Sequence, residues 1–309
     1  CMKVTFAAPA CFPCHSLWAL PERLLGLFRP LGNIDYNGSV NVYAVQLDIA
    51  WEDKKANFAA VRRLLADSRP ESGALLVLPE MFATGFSMSA AVIAEDAGTG
   101  ETSGFLAETA RAWRNWVLGG VAIRSEAGAF RNEALLFRPD GALAARYAKM
   151  YPFTPGGEAA HYSAGEAPVV VADVSGFALS PFVCYDLRFP EAFREAVGRG
   201  AEVYTVIASW PEARIGHWVT LLQARAIENQ AYVVGVNRCG ADPTLRYPGR
   251  SLIVGPDGVV LADAGAGEGI ISATLDRTAL LDYRTRLPFL NDRRHSAPGN
   301  AGVGRMPAG

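Results

Sequence analysis

From Val40 onward the chain alternates apolar, β-branched runs with stretches of helical period, and this alternation most limits what it can fold into. VNVYAVQLDI reads as a first strand. Residues 52–66 read as a helix with Ala56, Ala59, Ala60, Leu64 and Leu65 on its apolar face, ending before Pro70. The run Ala74 to Leu78 is the next strand; Thr102 or Ser103 can then cap a helix running to Trp116, with Phe105, Leu106, Ala110 and Trp113 on one side. WVLGGVAI follows as a strand. Asn132 to Phe137, the turn Pro139-Asp140-Gly141 and Leu143 to Tyr147 read as an antiparallel hairpin. Phe177 to Val183 is a buried strand, after which Pro190 and Glu191 open a helix over 192–199. EVYTVIAS, a helix over 218–229 and AYVVGVN continue the pattern. GADPTLRYPG reads as a loop before a last hairpin, SLIVGPDGVVLADA, the strand GIISATLD and a short helix over 278–283. No linker interrupts the series. The pattern predicts one α/β domain with a mixed sheet over residues 40–290.

Three of these strands end on chemistry. Cys184 closes one just before a helix start, where free amides and the positive end of a helix dipole stabilise a thiolate and an adjacent oxyanion. Glu80 follows another, before the loop MFATGFS, and Lys149 follows a third, before the breaker-rich YPFTPGG. Strand ends on one edge of an α/β sheet are where sites are assembled. Each residue also has a plain reading: a buried structural cysteine, and two solvated charges.

Together, LPEMF around Glu80, YAKMYPF around Lys149 and FVCYDLRFPE around Cys184 resemble the Glu-Lys-Cys triad of the nitrilase superfamily of carbon-nitrogen hydrolases. The resemblance spans nearly all of residues 40–290. ASWPEARIGHW and LLQARAIENQAYVVGVNR are most similar to the omega-amidase branch, whose members hydrolyse the terminal amide of alpha-keto acid amides such as 2-oxoglutaramate. It implies a four-layer α-β-β-α sandwich, which periodicity alone does not show. It also implies Cys184 as nucleophile, Glu80 as general base and acid, and Lys149 with the Tyr185 amide as oxyanion partners, the lysine's charge favouring a thiolate. The family carries a second glutamate where Glu158 stands, orienting the lysine. Its members usually have His and Leu at the positions of Tyr151 and Pro152, a departure that bears on pocket shape. No metal or cofactor is implied. A homodimer through residues 191–199 and 221–230 is implied.

An alpha-keto acid amide carries a carboxylate, and Arg188 is the cation nearest Cys184 in sequence; alternatively Arg188 pairs with a carboxylate at the helix start. Phe82, Phe86, Trp210 and Tyr185 are candidates for the pocket lining, each of which can equally be core. A Cys-His dyad is the rival chemistry, and His161 and His217 are its candidate bases. Rival functions are a related amidase acting on deaminated glutathione or an N-carbamoyl amine, a true nitrilase, and a catalytically silent scaffold that keeps the fold.

Composition removes other classes. In 309 residues, 50% hydrophobic and 19% charged with net charge -2, nothing favours nucleic acid or an anionic membrane as partner, and no apolar run spans a bilayer. Cys184 and Cys239 are the cysteines of the globular part, a number suited to a reducing cytoplasm. Residues 1–39 carry a faint secretory pattern broken by Pro9, Pro13 and Cys14, and a lone Cys11-Phe-Pro-Cys14 pair. They read as a poorly ordered extension whose removal, to residue 38, leaves folding intact. Residues 291–309 read as a flexible tail.

Overall fold

The computed structural model describes residues 38–294 apart from 97, 98 and 170, so the readings of residues 1–37 and of the tail beyond 294 lie outside the described residues. The first half runs β1 (Ser39–Gln46), α1 (Lys54–Ser68), β2 (Leu75–Val77), α2 (Ala90–Ile93), β3 (Glu95–Asp96), α3 (Glu101–Trp113), β4 (Trp116–Arg124), β5 (Phe130–Phe137) and β6 (Leu143–Ala148). The second runs β7 (Val171–Val174), β8 (Phe177–Val183), α4 (Pro190–Gly198), β9 (Val203–Ala208), α5 (Ile215–Asn229) and β10 (Tyr232–Asn237). It closes with β11 (Cys239–Ala241), β12 (Arg246–Pro248), β13 (Leu252–Val254), β14 (Val260–Asp263), β15 (Gly269–Asp276) and α6 (Arg277–Arg286).

Two mixed sheets carry the fold. One has the order β15-β1-β2-β4-β5-β6, with β3 beside β4; the other has β14-β13-β10-β9-β8-β7. In each the central strands are parallel, β1-β2-β4 and β8-β9-β10, and the flanking pairs antiparallel. The period-2 pattern assigns the faces of the first sheet. Val42, Ala44, Leu75, Val77 and Leu118 join a core shared with the second sheet, while Val45, Leu76, Leu78 and Val117 pack with α1 and α3. On the far side, Phe193 and Ala196 of α4 and Trp218, Leu222 and Ala226 of α5 pack with the second sheet. The layers are therefore helix, sheet, sheet, helix.

Local chemistry sets the helix ends, not always where periodicity puts them. Asp53 caps α1 by accepting from Ala56 N at 3.0 Å. The buried face of that helix uses Asn57, Phe58, Val61, Leu64 and Leu65, whereas Ala56 and Ala59 are exposed, because the Asn57 amide bonds Ala50 N, Ala50 O and Ala83 O and fixes the rotation. Neither Thr102 nor Ser103 caps α3. The carboxylate of Glu95 accepts from the Thr102 amide and hydroxyl, and Gly100 at the cap leaves it room, since a Cβ there would overlap the Glu95 carboxylate. Trp116 opens a strand rather than ending the helix. Phe105 of α3 stacks on Phe58 of α1 at 4.2 Å, joining the outer helices above the first sheet. The segment read as a loop, GADPTLRYPG, contains the β11-β12 hairpin, whose turn is held by the Asp242 side chain accepting from Thr244 N and Leu245 N. Among the described residues no helix is long and apolar enough to cross a membrane.

Candidate active site

β8 ends at Val183, and Cys184 takes a φ of 48°, a left-handed conformation that costs a residue with a Cβ about 1–3 kcal/mol. The chain turns sharply there into a 3-10 turn, Cys184–Arg188, and Pro190, which needs no amide partner, starts α4. Asp186 holds the turn: it accepts from Val183 N at 2.9 Å, Tyr147 Oη at 2.8 Å and Tyr151 N at 2.9 Å. Burial lifts its pKa to about 7 against these donors. Held this way, the half-buried Cys184 faces a cleft.

Glu80 and Lys149 come from the other sheet, at the ends of β2 and β6. Met81, with a φ of 44°, turns the chain after Glu80. Gly120 of β4 lets that segment lie close: a Cβ there would stand 2.5 Å from Met81 N and 2.6 Å from Glu80 Cα. Both charged groups are buried with Glu158. Lys149 Nζ donates to Glu80 Oε1 at 3.0 Å and to Glu158 Oε2 at 2.7 Å, and Asn132 Nδ2 donates to Glu80 Oε1 at 2.7 Å and Glu158 Oε1 at 2.9 Å. Ser209 N completes Glu80 at Oε2, 2.8 Å, and Phe153 N completes Glu158 at 2.6 Å. A buried cation is stable only when it is paired, and Lys149 Nζ is paired with both carboxylates.

The electrostatics follow from this packing. Burial pulls the Lys149 pKa down, but Glu80 and Glu158 outweigh it and the net shift is upward, so the side chain is an ammonium. Burial and the negative Glu80 push the Cys184 thiol well above its ordinary range, with Lys149 opposing. The desolvation of the thiol and the neighbouring Glu80 carboxylate exceed the pull toward a thiolate that Lys149 exerts.

Tyr185, Phe86, Phe153, Trp210, Arg188 and Arg214 line the cleft, which Leu245 and Tyr247 of the β11-β12 segment border. The Arg188 guanidinium carbon stands 4.8 Å from the Trp210 ring centre, with Nη2 3.3 Å from His217 Nδ1. Among the described residues it meets no carboxylate within ion-pair distance, so the pairing with a helix-start carboxylate does not form. Phe82 is not in the cleft. It points to the outer face of the first sheet and packs with Phe58 and Phe105, because the turn at Met81 sends the following side chain back into the helix-side core. His217 contacts Arg188, and His161 is exposed on the loop after Lys149. Tyr151 stacks on Phe189 at 3.7 Å. Asn132, Ser209, Phe153, Arg214 and Tyr247 join the site without a sequence signal of their own beyond neighbouring motifs.

A thiol at a strained strand end, with a carboxylate and an ammonium buried together beside it, has the groups needed to attack an acyl carbon and move a proton. The carbon-nitrogen hydrolase family model matches residues 41–285. Omega-amidase YafV of Escherichia coli is 37% identical over 82% of this chain and 96% of its own length. The 2-oxoglutaramate amidase of Bacillus subtilis is 32% identical over 82% of this chain and 97% of its own. The crystal structure of XC1258 from Xanthomonas campestris, a CN-hydrolase superfamily protein with an arsenic adduct in its active site, superposes with a TM-score of 0.79 at 33% identity, covering 84% of this chain and 99% of that one. With the four-layer fold and these matches along most of its length, the chain belongs to the carbon-nitrogen hydrolase family, in the nitrilase superfamily.

Proposed function

We propose that the protein is an omega-amidase that hydrolyses the terminal amide of a short carboxylate-bearing amide, 2-oxoglutaramate or 2-oxosuccinamate, to the dicarboxylate and ammonia. Cys184 attacks the amide carbon while Glu80 takes the thiol proton. The oxyanion forms against the Lys149 ammonium and the Tyr185 amide, and Glu80 passes its proton to the departing nitrogen. A thioester remains. Glu80 then draws a proton from water, which hydrolyses it, and Glu158 with Asn132 keeps Lys149 and Glu80 in place throughout. The carrying observation is the buried Glu80–Lys149–Glu158 cluster beside a thiol, in a cleft whose Arg188 has no carboxylate partner among the described residues.

Ammonia release from 2-oxoglutaramate, succinamate, glutamine, deaminated glutathione and a simple nitrile tests this, for wild type and Cys184→Ala. Cysteine-dependent activity highest on the keto acid amide supports it; activity highest on another compound moves the substrate, and none from folded protein favours a silent scaffold. Arg188→Ala is expected to raise KM for 2-oxoglutaramate far more than for a neutral amide, and equal effects would remove its role. We further propose a homodimer in the cytoplasm: Ile227 on α5, within the expected pairing segment 221–230, is an exposed apolar side chain. Light scattering of Ile227→Asp checks this; a wild type that is already monomeric overturns it.

A further inference from the structure

The cleft holds a second guanidinium that the reaction scheme leaves unused. Arg214 follows the WP turn; its main-chain oxygen accepts from Trp210 Nε1 at 2.8 Å, and its guanidinium carbon stands 5.4 Å from the Phe153 ring centre. Arg188 approaches the same wall from the other end, 4.8 Å from Trp210 and 6.0 Å from Tyr185, and Tyr185 meets Phe153 edge-on at 5.0 Å. Both arginines line the cleft that Cys184 faces. Among the described residues neither has a carboxylate within ion-pair distance. The wall between them is aromatic. Two like charges around a small, mostly apolar cleft repel each other unless an anion sits between them. A carboxylate has two oxygens with about four acceptor positions, enough for two guanidinium forks.

We propose that Arg214 is a specificity-determining residue: the substrate's carboxylate is shared between Arg188 and Arg214, which directs a short dicarboxylic acid monoamide with its amide toward Cys184. This rests on the amidase reading above. Arg214 also leans on Phe153, whose amide bonds Glu158, so a merely structural role has its own signature: a loss on every substrate alike.

The test compares wild type, Arg214→Ala and Arg214→Lys on 2-oxoglutaramate and on propionamide, with glutarate as a competitor of propionamide hydrolysis. Arg214→Ala is expected to raise KM for 2-oxoglutaramate about tenfold or more, with kcat within about threefold. Its effect on propionamide should be far smaller, glutarate should inhibit it much less than wild type, and Arg214→Lys should recover part of each loss. Equal losses on both amides, or unchanged glutarate inhibition, would overturn the proposal. If neither amide is turned over, the amidase reading has failed separately. Glutarate protection of Cys184 from iodoacetamide then decides: protection lost in Arg214→Ala supports the anion site, and protection absent in wild type or kept in the variant overturns it.

Discussion

Cys184 shows how burial changes the meaning of a residue type. Its position at a strand end is legible in the sequence, but its protonation state is not, because that depends on how much solvent the fold removes and on a carboxylate from the other sheet. Iodoacetamide alkylation of the resting protein is therefore expected to accelerate only above the ordinary thiol range near pH 8.5. A fitted pKa below about 7 would mean that Lys149 dominates after all. Asn132 carries the second expectation at this scale. Its amide bridges Glu80 and Glu158, so Asn132→Ala should lower kcat by about tenfold to a hundredfold while circular dichroism stays unchanged; an unaltered kcat would show that Lys149 alone holds the carboxylates.

At the level of elements, β4 does more than pair. Gly120 on one face leaves room for the Glu80 turn, and Gly119 on the other faces Leu106 and Phe82 side chains. Gly120→Ala meets backbone atoms that cannot swing aside, and is expected to lower kcat/KM about a hundredfold by displacing Glu80. Gly119→Ala meets the end of Leu106 at 2.9 Å, which can rotate; it should lose some stability in urea and keep most of its activity. The reverse pattern would assign the close approach a purely structural role. Strands and most helices are readable from periodicity because each is a local pattern. The Asp242 hairpin is not, since strands of three residues carry too little alternation. Phe82 was misplaced for a related reason: past a strand end, alternation no longer says which face a side chain takes. The contacts that finish the site join positions far apart in sequence, 52 residues for Asn132 to Glu80 and 129 for Ser209 to Glu80, and no local pattern encodes them.

For the whole molecule, Asp186 links stability to pH. Its folded pKa of about 7 lies above the unfolded value near 3.9, so the native state keeps a proton that the unfolded chain has released between those values. Stability from this group is full below about pH 4, falls as pH rises toward about 7, and is level above. The difference in urea midpoint between wild type and Asp186→Asn should follow that curve, whatever the variant costs overall. A difference independent of pH would show that folding leaves the Asp186 pKa where the unfolded chain has it. The site also straddles the two sheets, with Glu80 and Lys149 on one and Cys184 and Ser209 on the other, joined by hydrogen bonds from Ser209 N to Glu80 and from Tyr147 Oη and Tyr151 N to Asp186. Turnover is thus expected to be a gauge of the spacing between two slabs: a swelling of the inner core too slight to melt either sheet separates Cys184 from Glu80, and on heating or in denaturant activity should disappear ahead of secondary structure.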